Sequence, residues 1–384
     1  MFTASKPGTM EKLQLLSRDS QYDLACACGS DKSEHRTRGS KGKWIYPVTL
    51  PNGGVSNLFK TLISNHCSGD CKYCPLNSNS DVPRCSLDCN ELAETFLDYY
   101  RQGEVFGIFL SSGIIGNADR TMEKLIACAE ILRYKHHFKG YIHLKILPGS
   151  SPAAIEKAVS LSSAVSLNIE TPGKQFLQKL SNKKDFLKDI VEPMKLISNL
   201  TKQGRRRVKQ TTQFIVGAAD ESDRQIVDYT QALYERIGLS RVYFSAYQAN
   251  IAEHRGQKSP PEQSFIREHR LYQVDFLFRK YGFNSSDIIY DSSGLLSVES
   301  DPKELWAKNH PEFFPINVNT ATQYSLLRVP GLGPTTVEKI LQMRKLTKIG
   351  SIDDIGKVNA RLLKASKYLE FAGCAKNKAY LFNF

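Results

Sequence analysis

The stretch Asn65-His66-Cys67-Ser68-Gly69-Asp70-Cys71-Lys72-Tyr73-Cys74-Pro75 decides how this chain is read. Cys67, Cys71 and Cys74 stand at CxxxCxxC spacing, directly after a run, Phe59–Ser64, that has the composition of a strand. Three thiolates in one short loop can bind three irons of a [4Fe–4S] cluster and leave the fourth iron open. An open position suits a reactive site, whereas a structural site is closed by four ligands. The competing reading is a zinc knuckle that takes a fourth thiolate from Cys85 or Cys89.

Outward from this loop, strand-like runs alternate with helical ones. Strands are predicted at Phe59–Ser64, Val105–Ser111, Gly140–Leu147, Ala164–Glu170, Val208–Val216 and Arg241–Ala246. Helices are predicted at Glu91–Arg101, at Met122–Tyr134, from Ser151-Pro152 onward, and near 185–202, 222–237 and 263–281. Six alternations of this kind imply parallel strands joined by crossover helices. On two strands one face is apolar (Ile142, Leu144, Ile146; Val165, Leu167, Ile169). The other carries Tyr141, His143 and Lys145, or Ser166, Asn168 and Glu170. A strand covered by helices on both faces reads as continuously apolar, so this pattern predicts a barrel whose inner face lines a polar cavity. A sheet with one face in water is the alternative.

Composition narrows the partners. The 384 residues are 41% hydrophobic, enough for a core, and Lys plus Arg exceed Asp plus Glu by 52 − 39, a formal charge of +13. That balance favours a polyanion. No apolar run nears the ~20 residues of a membrane span, and MFTASKPGTMEK lacks a signal-peptide core, so a cytoplasmic protein without membrane contact is expected. Nine cysteines, at 26, 28, 67, 71, 74, 85, 89, 128 and 374, then read as metal ligands or redox groups rather than disulfides. Cys26, Cys28, Cys85 and Cys89 could bind an auxiliary metal, or be incidental thiols.

With Tyr73 before the last cysteine, the loop resembles the CxxxCxφC motif (φ aromatic) of the radical S-adenosylmethionine (SAM) superfamily. The resemblance implies a partial (βα)6 barrel, a [4Fe–4S] cluster on Cys67, Cys71 and Cys74, and SAM chelated at the open iron. One electron then releases a 5′-deoxyadenosyl radical. It also implies that Tyr73 helps cradle SAM, and that Ser111-Ser112-Gly113 replaces the family's GGE motif, without its acidic residue. Ser166, Asn168 and Glu170 correspond to residues that bind SAM's ribose and carboxylate. Phe214–Glu221 (FIVGAADE) is similar to the stretch beside the adenine, with Val216 and Gly217 as contacts.

A second motif, Val329-Pro330-Gly331-Leu332-Gly333-Pro334-Thr335-Thr336-Val337-Glu338-Lys339-Ile340, resembles a helix–hairpin–helix. Such a module offers backbone N–H groups to a phosphate, so Gly331, Gly333, Thr335, Thr336 and Lys339 are candidate nucleic-acid contacts, with Arg344 and Lys345 alongside. A helical hairpin used for packing or protein contact is the other reading. Arg205-Arg206-Arg207-Val208-Lys209 adds basic density. Together with SNSDVPR (78–84), REHRLYQVDFLFRKYGF (267–283) and HPEFFPINVN (310–319), the motifs resemble a family of DNA modification or repair radical SAM proteins with a C-terminal helix–hairpin–helix. The expected organisation is an arm or cap over 1–50, the barrel over 51–255, a helical extension over 256–310 and an all-α nucleic-acid-binding domain over 311–384. The resemblance implies DNA as partner, together with a reductant protein and a DNA-repair partner protein. An RNA or tRNA modifier, or a non-catalytic metal-containing nucleic-acid-binding protein, are the alternatives.

Overall fold

The computed structural model describes residues 7–20, 42, 44–49, 54–204, 207–247 and 262–372. Cys26, Cys28, Cys374, Arg205 and Arg206 lie outside them. The chain divides into two compact units, one of residues 1–221 and 232–269, the other of 222–231 and 270–384. Of the extension expected over 256–310, residues 270–310 fall in the second unit.

The first unit is built on a seven-stranded sheet in sequential order: β1 (Ile45–Thr49), β2 (Val55–Leu62), β3 (Gly107–Ser111), β4 (Tyr141–Lys145), β5 (Ala164–Ser166), β6 (Lys209–Val216) and β7 (Arg241–Ala246). Strands β2 to β7 run parallel, as the six alternations predict, and form an open partial barrel of α/β class. β1 pairs antiparallel with β2 and was not expected. Its Pro47 has no N–H to give, which suits an edge strand.

Helices start where side chains cap them. Asp88 accepts from the backbone N–H of Asn90 (2.8 Å) and opens Cys89–Arg101, while Asn117 accepts from Arg120 (2.8 Å) and opens Ala118–Glu130. Ser151 with Pro152 opens Pro152–Leu161. The apolar strand face is fully buried: Ile108, Leu110, Ile142, Leu144, Val165 and Leu167 are each 0% exposed. On the opposite face, Lys60 Nζ lies 4.6 Å over the Phe109 ring, Phe109 packs edge-on against His143 at 4.3 Å, and His143 Nε2 is 3.0 Å from Ser166 Oγ. A polar inner face is what the strand alternation predicts.

Two departures matter for the site. First, helix α1 (Thr9–Asp19) occupies part of the expected arm, with Leu13 and Leu16 buried. Second, β5 ends at Ser166 instead of running to Glu170. Leu167 N donates to Thr211 O, yet the next ladder bond is Glu170 N to Gln213 O (3.0 Å), so three steps on one strand oppose two on the other. The Thr212 hydroxyl fills this bulge, donating to Leu167 O (2.7 Å) and accepting from Ile169 N (2.9 Å). Glu170 consequently sits at φ +65°, a left-handed conformation that costs a non-glycine residue roughly 1–3 kcal/mol.

The second unit contains short helices, among them Pro302–Asn309, Gln323–Arg328, Pro334–Met343, Ile352–Ile355 and Ala360–Ser366. Its centre is Arg328, 1% exposed, whose guanidinium pairs with both carboxylate oxygens of Asp287 (3.0 Å each). Three rings, Phe283, Trp306 and Tyr324, lie 4.1–4.6 Å from it. Among the described residues no helix is long and apolar enough to cross a membrane.

Candidate cofactor site

The three cysteines open into one cavity at the C-terminal ends of the parallel strands. It offers a volume of about 180 Å³ and is open to solvent on one side. Cys67, Cys71, Tyr73 and Cys74 line it together with Ser111, Ser112, Gly113, Asn168 and Glu170. Loops at this end of parallel strands are free to carry binding groups because the sheet below fixes their roots.

Several features suit a soft metal cluster held by thiolates. Cys67 Sγ accepts backbone N–H groups from Gly69 (3.3 Å) and Ile114 (3.5 Å), contacts that stabilise negative sulfur. Against this, burial, and then the nearby Cys71 sulfur, pushes the metal-free Cys74 thiol up to about 12, so a bound metal would have to displace its proton. Gly113 permits the turn after β3 to touch the cysteine loop, since a Cβ there would stand 2.3 Å from His66 O and 3.1 Å from Cys67 Cβ. Among the described residues no three His, Cys, Asp or Glu side chains gather closely enough for a single metal ion. Cys85 and Cys89 are absent from the cavity lining. Cys85 Sγ turns to the Lys12 carbonyl (3.9 Å) and Cys89 Sγ to that of Lys124 (3.5 Å).

One residue here carried no sequence signal. Lys184 Nζ lies 3.2 Å from Tyr73 Oη and 3.9 Å from Glu170 Oε1, its side chain 11% exposed. Burial works against its ammonium, but Cys71 and Glu170 beside it prevail and hold its pKa above the ordinary lysine value. Tyr73 is pushed upward, by burial first and then by Cys71 and Glu170. Its ring rests on an apolar cluster of Phe176, Leu180 and Ala219. Asn168 Nδ2 approaches Glu170 Oε2 at 3.5 Å, so Glu170 receives Lys184 and Asn168 together.

Other expectations shift. Ser166 is buried on the His143 ring and does not line the cavity; neither do Val216 and Gly217. Alternation along β6 turns Gln213 and Ile215 to the cavity instead. Gly217, at φ +81°, and Ala219 donate their N–H groups to the buried Glu221 carboxylate, which shapes the turn. Gln213, which lines the cavity, has its Nε2 buried with no partner. Lys145 lines the cavity as expected, and Asp19 at the end of α1 joins it.

In the second unit, the Val329–Gly333 turn links the helices Gln323–Arg328 and Pro334–Met343. Gly331 has φ +88°, and a Cβ on it would stand 2.1 Å from Arg361 O. Gly333 caps the second helix, Thr335 and Lys339 are exposed, and Thr336 is half-buried. Arg344 is not part of a basic face. Its guanidinium turns inward to the carbonyls of Ala321 (2.6 Å) and Val318 (3.4 Å).

Residues 61–233 match the family model described as "Radical SAM superfamily". This part of the chain, somewhat under half of it, is similar to radical SAM domains. Domains of that family use a [4Fe–4S] cluster and SAM, and the thiol loop and cavity described above fit both. Among solved structures, the chain is similar to methylornithine synthase (PylB), at 14% identity over 57% of this chain and 63% of that one, TM-score 0.44. It is similar to the FeFe-hydrogenase maturase HydG from Carboxydothermus hydrogenoformans, at 15% identity over 58% and 52%, TM-score 0.44. The cobalamin-dependent SAM radical enzyme OxsB matches at 12% identity over 84% and 58%, TM-score 0.35. The chain thus spans under two thirds of the length of each. No curated protein matches it.

Proposed function

We propose that this chain is a radical SAM enzyme that modifies or repairs nucleic acid, with DNA as its substrate. The observation that carries the reading is the convergence, in one cavity, of Cys67, Cys71 and Cys74 with the Ser111–Gly113 turn and the Asn168–Glu170 pair. In this reading the three thiolates hold three irons, and SAM fills the remaining space. When bound, the pair supplies an electron and a carbon-centred radical able to abstract hydrogen from a substrate. The chain's own residues bind and orient. Asn168 and Glu170 would offer polar groups to the ribose and amino acid ends of SAM, and the Ser111–Gly113 backbone would face its amino group. Lys184 sets a positive charge beside the sulfurs and fixes Glu170 and Tyr73 in place. Fourth-ligand closure by Cys85 or Cys89, as a zinc knuckle requires, is disfavoured by the directions in which those thiols point.

Support for nucleic acid comes from the second unit and the charge. The ten-residue helix Pro334–Met343 begins at a glycine hairpin with exposed Thr335 and Lys339 near its first turn, on a chain of formal charge +13. Gly331, Gly333, Thr335, Thr336 and Lys339 would meet phosphates without reading sequence, so binding should weaken steeply with salt. A reductant protein would deliver the electron, in the cytoplasm, and a DNA-repair partner protein would present the base.

The test is anaerobic. The reconstituted protein is reduced with dithionite, given SAM, and assayed for 5′-deoxyadenosine with and without DNA or tRNA. Formation that disappears in Cys71→Ala and rises with DNA is the expected result. Stimulation by tRNA alone would move the substrate to RNA. Purified protein that carries zinc and resists iron loading would remove the enzymatic reading.

A further inference from the structure

The Ser78–Arg84 segment that follows the cysteine loop takes no part in the chemistry above, yet its polar groups are spent on that loop. Arg84 Nη1 donates to the carbonyls of Asn65 and Leu76 (2.9 Å to the latter), and Nη2 to those of Asn77 (2.9 Å) and Ser80 (3.0 Å). Asn65 precedes Cys67, and Leu76 and Asn77 follow Cys74. One guanidinium therefore ties the two ends of the loop. Asn77 adds the middle: its Nδ2 donates to Cys74 O (3.0 Å) and Cys71 O (3.4 Å), while Oδ1 accepts from Asn79 N (2.9 Å). Asn65, 0% exposed, accepts from Cys85 N (2.8 Å) and donates to Pro83 O (2.8 Å) and to Asp19 Oδ2 (2.7 Å). Asp19 is 7% exposed and lines the cavity from the end of α1.

We propose that Arg84 is a positioning residue for the three cysteines, that Asn77 transmits its hold to Cys71 and Cys74, and that α1 is latched to the same loop through Asp19 and Asn65. The inference rests on the cluster reading. The chemistry demands arginine: a planar, permanently charged fork can serve four carbonyls at once, whereas a lysine ammonium is a point donor on a flexible stem. With Arg84 in place the loop ends are joined before any metal arrives, so the thiols are spaced in advance. Without it, the carbonyls of Asn65 and Leu76 lose this donor, and the thiols remain but the two loop ends are no longer joined.

Wild type, Arg84→Ala, Arg84→Lys and Asn77→Ala are to be reconstituted anaerobically, with Cys71→Ala as the reference that cannot complete the site. Iron and sulfide per chain, the rate of iron release to a chelator, the electron paramagnetic resonance of the reduced protein and the melting of the metal-free forms are measured. Outer partners of metal ligands typically govern affinity by about 10–100-fold. Arg84→Ala is thus expected to release iron at least about tenfold faster than wild type with an altered resonance, Arg84→Lys to fall between, and Asn77→Ala to follow Arg84→Ala. Metal-free melting should stay within about 5 °C of wild type. Release rates and spectra equal to wild type in both Arg84→Ala and Asn77→Ala would overturn the proposal alone. A wild type that binds no iron and sulfide would overturn the reading beneath it.

Discussion

Gly113→Ala is the most exacting perturbation of the cavity wall. The added methyl carbon would lie 2.3 Å from His66 O, 3.0 Å from His66 C and 3.1 Å from Cys67 Cβ. An ordinary contact needs about 3.4 Å, so one backbone must retreat by about 1 Å. Both are pinned: Gly113 N donates to Ser64 O (2.8 Å) and Ser68 N to Ile114 O (2.9 Å). Overpacking costs about 1–3 kcal/mol, and each hydrogen bond stretched or lost adds about 1 kcal/mol. A destabilisation of about 2–4 kcal/mol follows, or roughly 5–15 °C in melting temperature for a unit of this size. The retreat also moves Cys67, and a misplacement of about 1 Å costs on the order of a hundredfold in rate. Calorimetry of the metal-free protein and 5′-deoxyadenosine formation per bound cluster check the two effects separately. Gly103→Ala is the control, because at φ +71° with nothing within 4 Å it incurs only left-handed strain, about 1 kcal/mol. Gly113→Ala with the melting and turnover of wild type would refute the reasoning.

Four further outcomes are expected. Gln213→Leu removes the unpartnered buried donor, so it should leave melting unchanged or slightly raised while the SAM KM rises about tenfold, measured at fixed cluster content. Arg328→Met leaves Asp287 without its buried partner and should destabilise the second unit by about 3–5 kcal/mol, seen in urea unfolding. Gly331→Ala combines φ +88° with a contact 2.1 Å from Arg361 O, and should lower both melting and DNA affinity in a titration at fixed salt. Lys303 donates to Leu332 O (2.6 Å), and burial brings its ammonium down to about 7. Since the unfolded chain then holds the proton that the fold releases, this lysine makes stability rise with pH between about 7 and 10.5, and Lys303→Met should flatten that part of the urea-midpoint profile.

Much of the site was legible because its chemistry is local. The CxxxCxxC spacing and the period-two alternation of 141–146 and 165–170 are written in consecutive residues, and the cavity gathers Cys67, Cys71, Cys74, Asn168 and Glu170 accordingly. What stayed hidden depends on contacts distant in sequence. Lys184 lies in a lysine-rich loop like any solvated face until the fold folds it under Tyr73. The bulge at Leu167–Glu170 arises from the Thr212 hydroxyl on the next strand, which no pattern within β5 announces. Helix α1 did leave a signal, Leu13 and Leu16 one turn apart behind Glu11, but in a segment whose composition reads as an arm. Ser166 shares the polar face of Asn168 and Glu170 by alternation yet meets His143 outside the cavity lining, while Val216 and Gly217, taken from the family motif, also lie outside it.

The central claim is that Cys67, Cys71 and Cys74 hold a [4Fe–4S] cluster with one iron open to SAM. Electron paramagnetic resonance of the anaerobically reconstituted, dithionite-reduced protein, with and without SAM, addresses it most directly. A reduced four-iron signal that changes shape on adding SAM, and is lost in Cys71→Ala, is the expected result. A signal indifferent to SAM, or a protein that holds zinc and gives no signal, would contradict it.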